Sequence, residues 1–419
     1  MDKGENHEVK DMGLAAQGAL NIAYAEMRMP IMEKIRKRFE RELPFKGLTI
    51  GLALHVTKET AVLVRTLRAG GAKVALASCN PLSTQDDVAA ALAKDGFMVY
   101  GYKGEGKEDY YRYIEAVIAA KPDITIDDGC DLVTAIHTKH PSLIAKMIGG
   151  CEETTTGVIR LHAMEKDGVL KYPMIAVNDN KTKHLLDNYY GTGQSTIDGL
   201  LRASNVLIAG TDFVVCGYGD CGRGVALKAK GMGASVIVTE VDAFRAMQAR
   251  LDGFAVMPIA DAAKTGDIFV TVTGNKHVIT ADHVKAMKHG AILANSGHFD
   301  NEIDVSGMDS HWKKRRIRPF LEEYDVGGKM VYLCGEGRLV NLAAAEGHPS
   351  EVMATSFAGQ SLACEYLVKN KGKLQAKVLR LPEELDDQIA QLQLEAMGVK
   401  KDSLTKEQEK YLHSWEEGT

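Results

Sequence analysis

Short, uninterrupted runs of apolar residues alternate with segments of helical spacing along most of this chain. In the first half, this pattern predicts strands at 48–55, 72–78, 97–102, 123–126 and 174–177. Strands without polar interruptions that alternate with helices are typical of a parallel sheet covered by helices on both faces. The pattern therefore predicts a doubly wound α/β domain.

The same pattern begins again after residue 190, where it predicts strands at 213–216, 234–239, 268–273, 291–295 and 330–334. The segment 189–195, between the two series, is a candidate hinge. From Gly359 onward the sequence is mostly helical and rich in Lys, Glu and Leu. The predicted fold is α/β, with two doubly wound, Rossmann-like domains around a cleft and a helical C-terminal segment.

Composition narrows the class of function. The 419 residues carry 51 Lys and Arg against 56 Asp and Glu, a net charge of −5, which argues against nucleic acid or an anionic membrane as the partner. The first residues lack the features of a signal peptide, and no apolar run reaches the roughly 18 residues of a membrane span. The 7 cysteines are scattered without a Cys-x-x-Cys motif, so we expect reduced thiols in a cytoplasmic protein. No spacing of His, Cys and carboxylates suggests zinc, and we predict no metal.

A glycine-rich turn gives the first specific indication of chemistry. The segment 217–222, Gly-Tyr-Gly-Asp-Cys-Gly, follows a predicted strand and opens a predicted helix. Gly217 permits the tight turn, Gly219 lets a pyrophosphate approach the backbone, and Gly222 packs the helix on the strand. Glu240 ends the next strand, 23 positions after Gly217, where a carboxylate binds the adenosine ribose and repels a 2′-phosphate. These features favour NAD over NADP, and an ordinary βαβ turn is the alternative.

Polar residues follow the predicted strands of the first domain, at the edge where open α/β sheets bind ligands. Each alone is typical of a turn or a helix cap, above all Asp127 and Asp179. The segment 152–157, Glu-Glu-Thr-Thr-Thr-Gly, is either an N-cap cluster or a set of groups that bind a ribose. Lys183 and Asp187 are four positions apart and share a helix face, as a surface ion pair or as a base with its orienting group. The polar strand ends are His55, Ser78-Cys79-Asn80, Asp127-Asp128 and Asn178-Asp179.

Several longer motifs together resemble the S-adenosylhomocysteine hydrolase (adenosylhomocysteinase) family over nearly the whole chain; they lie at 53–61, 81–87, 127–129, 152–157, 188–191, 295–300 and 335–342. The closing segment 404–412 resembles archaeal members. The resemblance implies a substrate-binding domain of residues 1–185 and 349–395, an NAD-binding domain of residues 190–348, and a C-terminal oligomerisation tail of residues 396–419. It also implies a homotetramer with one tightly bound NAD per subunit.

This sequence departs from the family at two places. Many relatives end in a Lys- and Tyr-bearing extension that touches a neighbouring subunit's NAD, whereas this chain stops at Trp415-Glu416-Glu417-Gly418-Thr419. That contact is therefore not carried over to this chain. Thr192 stands where many relatives carry Cys.

The family's reaction explains why a hydrolase carries NAD. Oxidation of the ribose 3′-hydroxyl makes the C4′ hydrogen acidic, homocysteine leaves by elimination, water adds, and the retained hydride is returned to give adenosine. By resemblance, Lys183 takes the 3′-hydroxyl proton, Asp187 orients the same region, and Asp128 removes the C4′ proton. His55 and His298 flank the 5′ side. We expect burial beside a cationic nicotinamide to lower the pKa of Lys183.

The resemblance also implies two sets of binding residues. The substrate would be bound by Thr57, Glu59, Glu153, Lys183, Asp187, His298 and His348. NAD would be bound by Thr154, Thr155, Thr156, Asn188, Gly217, Gly219, Asp220, Cys221, Gly222, Glu240, Asn275, Ser296, Gly297, His298, Asn341 and His348. The pair His298-Phe299 resembles the family's access gate.

Alternatives remain at this point. Some archaeal relatives prefer the S-inosyl thioether, but Glu59 can only accept hydrogen bonds and therefore favours the 6-amino group of adenine. In the alternative reading, Glu59 is only a first-turn helix acid and Lys58 points inward. A D-2-hydroxyacid dehydrogenase would share the two-domain plan, although the Lys183–Asp187 pair would then have no role. A non-catalytic NAD-binding relative should have lost some of the site residues named above.

Overall fold

The first series of strands forms one sheet in this computed structural model, which describes residues 1–415. Apart from the antiparallel pair at one edge, neighbouring strands run parallel. In order across the sheet, the strands are Asp2–Gly4, His7–Val9, Met98–Tyr100, Lys73–Ala77, Thr49–Ala53, Ile124–Asp127, Gly149–Glu152, Met174–Ala176 and Val378–Leu379.

The second series forms a separate sheet whose first six strands are parallel and whose last two are antiparallel. Its order is Ala255–Val256, Ser235–Thr239, Asp212–Cys216, Ile268–Thr271, Ile292–Asn295, Lys329–Cys334, Leu321–Val326 and Lys314–Arg318. The predicted α/β class with two doubly wound sheets is therefore confirmed.

Helices alternate with the parallel strands and pack on the sheets. Those between strands of the first sheet are Lys58–Ala69, Asp86–Lys94, Lys107–Ala119, Asp131–Lys139 and Thr155–Lys166, after the N-terminal pair Ala15–Arg28 and Pro30–Glu42. Those between strands of the second sheet are Asp220–Gly231, Ala243–Leu251, Ile259–Thr265, Ala281–Ala286 and Val305–His311. No helix in residues 1–415 is both long enough and apolar enough to cross a membrane.

Three consecutive segments connect the sheets and form what we call the linker helix: Lys181–Lys183, His184–Gly191 and Thr192–Ser204. After the second sheet the chain returns to the first through helix Ser350–Lys369. Phe357, Leu362 and Leu367 of this helix are buried in the same apolar core as Ile22 and Ile50. Strand Val378–Leu379 then extends the first sheet, and helices Glu383–Ala396 and Lys406–Leu412 follow.

Both sheets have a topological switch point, where the order of strands along the chain reverses. In the first sheet it lies between Thr49–Ala53 and Ile124–Asp127, and in the second between Asp212–Cys216 and Ile268–Thr271. In open α/β sheets, ligands bind beyond the carboxyl ends of the strands at this point.

Some elements differ from the predictions. Strand Gly149–Glu152 was not predicted, because its two glycines and single acid give no apolar run. Helix Thr155–Lys166 follows this strand after two residues. The candidate hinge at 189–195 lies inside the linker helix and not in a loop. Helix Ser350–Lys369 begins nine residues before Gly359, where mostly helical sequence was predicted to start. Part of the predicted tail, residues 416–419, lies outside the described residues.

Candidate active site

One cavity of about 1130 Å³ has walls from both sheets, from the linker helix and from the segment before helix Ser350–Lys369. Of the predicted site residues, all except Gly222 line it. Folding thus brings together His55, Thr57, Glu59, Asp128, Glu153, Thr154, Thr155, Thr156, Lys183, Asp187, Asn188, Gly217, Gly219, Asp220, Cys221, Glu240, Asn275, Ser296, Gly297, His298, Asn341 and His348.

Lys183 is buried in this cavity among acidic and amide groups. Its Nζ donates a hydrogen bond to Asn188 Oδ1 at 2.8 Å and lies 3.7 Å from one carboxylate oxygen of Asp187 and 3.7 Å from one of Glu153. His348 Nδ1 lies 2.9 Å from the same Asp187 oxygen. The Lys183–Asp187 pair is therefore a buried pair in a cleft and not a surface ion pair.

The pKa of Lys183 is expected to fall beside a cationic nicotinamide, but the protein side chains around it act in the opposite direction. Burial disfavours the ammonium form, but the charges of Asp187 and Glu153 outweigh it and raise the pKa of Lys183 above its usual range. For Glu153 the balance is the reverse, because burial outweighs Lys183 and raises the pKa of that carboxyl to about 8. In the protein alone, Lys183 is an ammonium group.

The shape of the linker helix explains how Lys183 meets both of its neighbours. Residues His184–Gly191 form a π-helix between two α-helical segments. An α-helix places residues three or four apart on one face, whereas the wider π-turn joins residues five apart. Lys183 can therefore contact Asp187, four positions on, and Asn188, five positions on.

Two side chains of helix Ser350–Lys369 donate hydrogen bonds to the carboxylates of Asp187 and Glu153. Ser356 Oγ donates to Asp187 Oδ2 at 2.7 Å, and Gln360 Nε2 donates to Glu153 Oε2 at 2.5 Å. Both residues are fully buried. Sequence reasoning missed Ser356 and Gln360, because nothing in an isolated helix indicates which distant carboxylates its polar residues will meet.

Two histidines flank Asp128 in the same cavity. His55 Nε2 lies 3.3 Å from one carboxylate oxygen of Asp128, and His298 Nδ1 lies 3.3 Å from the other. Burial lowers the pKa of His55 to about 4, despite the charge of Asp128, which keeps the imidazole neutral at pH 7. A neutral imidazole can accept a proton from a neighbouring group.

The same three side chains offer one ligand atom each within 4.8 Å of one another, a spacing that a divalent cation could bridge. Cys79 Sγ lies nearby, 3.3 Å from His55 Nδ1. His55, Asp128 and His298 are far apart in the sequence, so no spacing rule for metal ligands could have brought them together.

The glycine turn has the geometry expected of a dinucleotide site. Gly217 has φ +108°, a conformation that side chains rarely adopt. A Cβ at Gly219 would meet little besides the tip of Arg245, at 3.5 Å, so the backbone there is open to a ligand. A Cβ at Gly222 would lie 2.0 Å from the Gly217 carbonyl oxygen. Gly222 therefore serves the close packing that the sequence predicted for it, below the cavity wall.

Two further observations fit a dinucleotide. Glu240 follows strand Ser235–Thr239 and accepts hydrogen bonds from the backbone N–H groups of Tyr218, Val241 and Asp242, which fixes its carboxylate beside the turn. Asn341 Oδ1 is buried and has no hydrogen-bond partner among the described residues, while its Nδ2 donates to Ser195 Oγ. An unpaired buried acceptor is costly, and the carboxamide of a nicotinamide would satisfy it.

Glu59 is 1% exposed and lines the cavity at the first turn of helix Lys58–Ala69. Its Oε1 accepts a hydrogen bond from Ser350 Oγ at 2.5 Å and lies 3.4 Å from Lys58 Nζ. Lys58 does not line the cavity and forms an ion pair with Glu346 at 3.0 Å. Of the two neighbours, it is thus Glu59 that faces a ligand in this cavity.

The second sheet carries a glycine turn at its switch point, and the cavity beyond that turn also holds the buried cluster of Lys183, Asp187 and Glu153. These features define an enzyme of the NAD-binding class. A model of the S-adenosyl-L-homocysteine hydrolase family matches residues 6–141, and a model of the NAD-binding domain of that family matches residues 188–347. The chain belongs to the S-adenosyl-L-homocysteine hydrolase family.

Curated relatives cover almost the entire chain. An S-inosyl-L-homocysteine hydrolase of Methanocaldococcus jannaschii is 57% identical over 99% of this chain and 100% of its own length. An adenosylhomocysteinase of Aquifex aeolicus is 58% identical over 98% of this chain and 99% of its own. An adenosylhomocysteinase of Saccharolobus solfataricus is 58% identical over 99% of this chain and 100% of its own. Overall identity therefore does not distinguish the two substrates.

Proposed function

We propose that this protein catalyses the reversible hydrolysis of S-adenosyl-L-homocysteine to adenosine and L-homocysteine, with one NAD tightly bound per subunit. The observation that carries the proposal is the buried cluster of Lys183, Asp187 and Glu153, which shares one cavity with the dinucleotide turn. An amine and two carboxylates suit the hydroxyl groups of a ribose. When bound, NAD accepts a hydride from the substrate and later returns it.

The protein's own groups handle the protons. Lys183 takes the proton of the 3′-hydroxyl, while Asp187 and Asn188 hold its amine in position. Any positive charge in the loaded cavity favours the neutral form of Lys183 and offsets the two carboxylates. Once C3′ is a ketone the C4′ hydrogen is acidic, and Asp128 removes it. His55 and His298 then pass protons to the leaving thiolate and from the incoming water.

The binding residues form two overlapping sets, one for the substrate and one for the cofactor. Glu59 binds the purine and Glu153 binds the ribose hydroxyls. The rest of the substrate-binding set is Thr57, Lys183, Asp187, His298 and His348. The cofactor is held by the NAD-binding residues that the family resemblance implies, which include Thr154, Thr155, Thr156 and Asn341. The support for this assignment is that these residues, apart from Gly222, line one continuous cavity.

We further propose an adenosyl over an inosyl substrate, by at least about tenfold in kcat/KM. The buried carboxylate of Glu59 supports this preference, because it accepts from the 6-amino group of adenine and repels the carbonyl oxygen of hypoxanthine. Relatives of both names match this chain equally well, so the proposal depends on Glu59.

The division into domains and the assembly are also proposals. Residues 1–185 with 349–395 and residues 190–348 follow the division of strands between the two sheets. A cytoplasmic homotetramer is supported by the 7 free cysteines and by exposed apolar residues of the tail, Leu404, Tyr411, Leu412 and Trp415. Native mass measurement of the purified protein tests the assembly.

Lys183→Ala tests the proposed reaction. The variant should keep its NAD but form no bound NADH on mixing with adenosine, because a general base contributes about 10²–10⁴-fold to rate. Lys181→Ala is the matched control, since Lys181 is exposed on the same helical segment and pairs with Glu383. A normal burst of bound NADH in Lys183→Ala would overturn the assignment. Release of NADH into solution by the unmodified protein would favour a dehydrogenase.

A further inference from the structure

A further buried carboxyl group, that of Glu152, lies beside the site and has no part in the proposed reaction. Glu152 is fully buried at the end of strand Gly149–Glu152, directly opposite Asp127 of the neighbouring strand. Its Oε1 accepts hydrogen bonds from the backbone N–H groups of Gly129 and Thr154, at 2.9 and 3.0 Å. Its Oε2 has no hydrogen-bond partner among the described residues. Glu152 thus anchors the backbone immediately after Asp128.

That stretch of backbone has an unusual conformation. Gly129 has φ +104° and Cys130 has φ +66°, so two consecutive residues are left-handed, which costs energy at a non-glycine residue. The Gly129 N–H is held by Glu152, and its carbonyl oxygen accepts a hydrogen bond from Arg160. A Cβ at Gly129 would lie 2.5 Å from His298 Nε2, so a small shift of this turn would change how Asp128 meets His298.

The helix that follows Glu152 leaves space for its carboxyl group. A Cβ at Gly157 would lie 2.2 Å from the Glu152 Cδ atom, so helix Thr155–Lys166 leaves room for this side chain by carrying a glycine. The charges nearby have the wrong sign for an anion. Burial, and then the charges of Asp127 and Asp128, raise the pKa of Glu152 well above its usual range.

We propose that Glu152 is a positioning residue, whose carboxyl group fixes the 128–130 turn and aims Asp128 between His55 and His298. The inference rests on the proposed function, in which Asp128 removes the C4′ proton. One oxygen of this carboxyl group accepts both N–H groups, and the raised pKa of Glu152 limits the negative charge beside Asp128. The Lys183 cluster has supports of its own, because Ser356 and Gln360 of helix Ser350–Lys369 hold the carboxylates of Asp187 and Glu153.

The test separates the two proton transfers in the NAD-loaded enzyme. Formation of bound NADH from adenosine reports the Lys183 step, and loss of deuterium from C4′-deuterated adenosine reports the Asp128 step. Backbone hydrogen exchange of segment 127–133 in the substrate-free enzyme reports the turn itself. The variants are Glu152→Ala and Glu152→Gln, whose amide oxygen can accept the same two N–H groups. Cys151→Ala is the control for an adjacent buried hole, since its Sγ lies 3.9 Å from Cys364 Sγ, away from the turn.

Glu152→Ala should keep NADH formation but lose C4′ exchange by about tenfold to a hundredfold, the cost of misplacing a reacting group by about 1 Å. Its 127–133 amides should exchange faster. Glu152→Gln and Cys151→Ala should resemble the unmodified enzyme in all three measurements. The inference fails if Glu152→Gln loses as much C4′ exchange as Glu152→Ala, if Glu152→Ala keeps that exchange, or if both steps fall together. Absence of NADH formation in the unmodified enzyme would instead refute the proposed function.

Discussion

The substitution Glu59→Gln tests whether Glu59 determines the preference for an adenosyl over an inosyl substrate. The substitution keeps the size of the side chain and replaces one acceptor oxygen by an N–H₂ donor. Ser350 Oγ and Lys58 Nζ both lie against Oε1, which leaves Oε2 for the substrate. In the variant the amide oxygen keeps these two contacts, and the amide nitrogen takes the position that faces the purine. The donor then suits the hypoxanthine carbonyl and opposes the adenine 6-amino group.

The size of the change follows from the burial of this group. At 1% exposure, Glu59 has no water to relieve a donor facing a donor, and such a mismatch costs about 1–3 kcal/mol. A factor of ten corresponds to about 1.4 kcal/mol. We therefore expect the ratio of kcat/KM for adenosyl over inosyl substrate to fall by about tenfold to a hundredfold in Glu59→Gln.

A competition assay measures this ratio directly. Both thioethers are supplied together at equal concentration, and adenosine and inosine are separated and counted at low conversion. Glu346→Gln is the control, because Glu346 pairs with the same Lys58 but is 61% exposed, and its loss should leave the ratio unchanged. An unaltered ratio in Glu59→Gln, or faster loss of the inosyl compound in the unmodified protein, would refute the reasoning.

Two other predictions concern the cofactor turn and the dependence of stability on pH. Gly222→Ala should abolish retention of NAD, since its Cβ would lie 2.0 Å from the Gly217 carbonyl oxygen; a purified variant that still releases NAD on denaturation would contradict this. Burial raises the pKa of Glu105 to about 7, above its unfolded value, so the stability linked to this group is complete below about pH 4.5 and is lost as the pH rises towards 7. Glu105→Gln should therefore raise the melting temperature more at pH 8 than at pH 5, and the gain in the free energy of unfolding should reach up to about 3 kcal/mol. The exposed control Glu108→Gln should show no such difference. Equal shifts of the melting temperature at both pH values would contradict this prediction.

The sequence was sufficient for features whose cause is local. The apolar runs predicted the central strands of both sheets, because a strand buried on two faces is made mostly of apolar residues. The glycine turn at 217–222 was predicted because glycine is needed where the backbone conformation or a close approach leaves no room for a side chain. The motif resemblance also brought together residues from both sheets, and all of them except Gly222 line one cavity.

The sequence was insufficient where distant charges or tertiary packing decide. The pKa of Lys183 was predicted to fall from burial beside a cationic nicotinamide. The sequence could not show that Asp187 and Glu153 raise this pKa, because their distances are set only by folding. The π-helix His184–Gly191 has no simple sequence pattern, because its wide turn depends on the contacts around it. The antiparallel pair Lys314–Arg318 and Leu321–Val326 escaped prediction because the edge strand is exposed and basic.

The return of the chain to the first sheet sets the order in which a ribosome can complete this protein. Helix Ser350–Lys369 and strand Val378–Leu379 finish the core and the edge of a sheet whose first strands lie before residue 10. The second sheet ends at Arg318 and Cys334 and needs no strand from beyond that point. During synthesis the cofactor-side unit can therefore close first, while the earlier unit still exposes apolar surface that residues 350–379 later cover. The part of the chain that is made first is the last that can be completed.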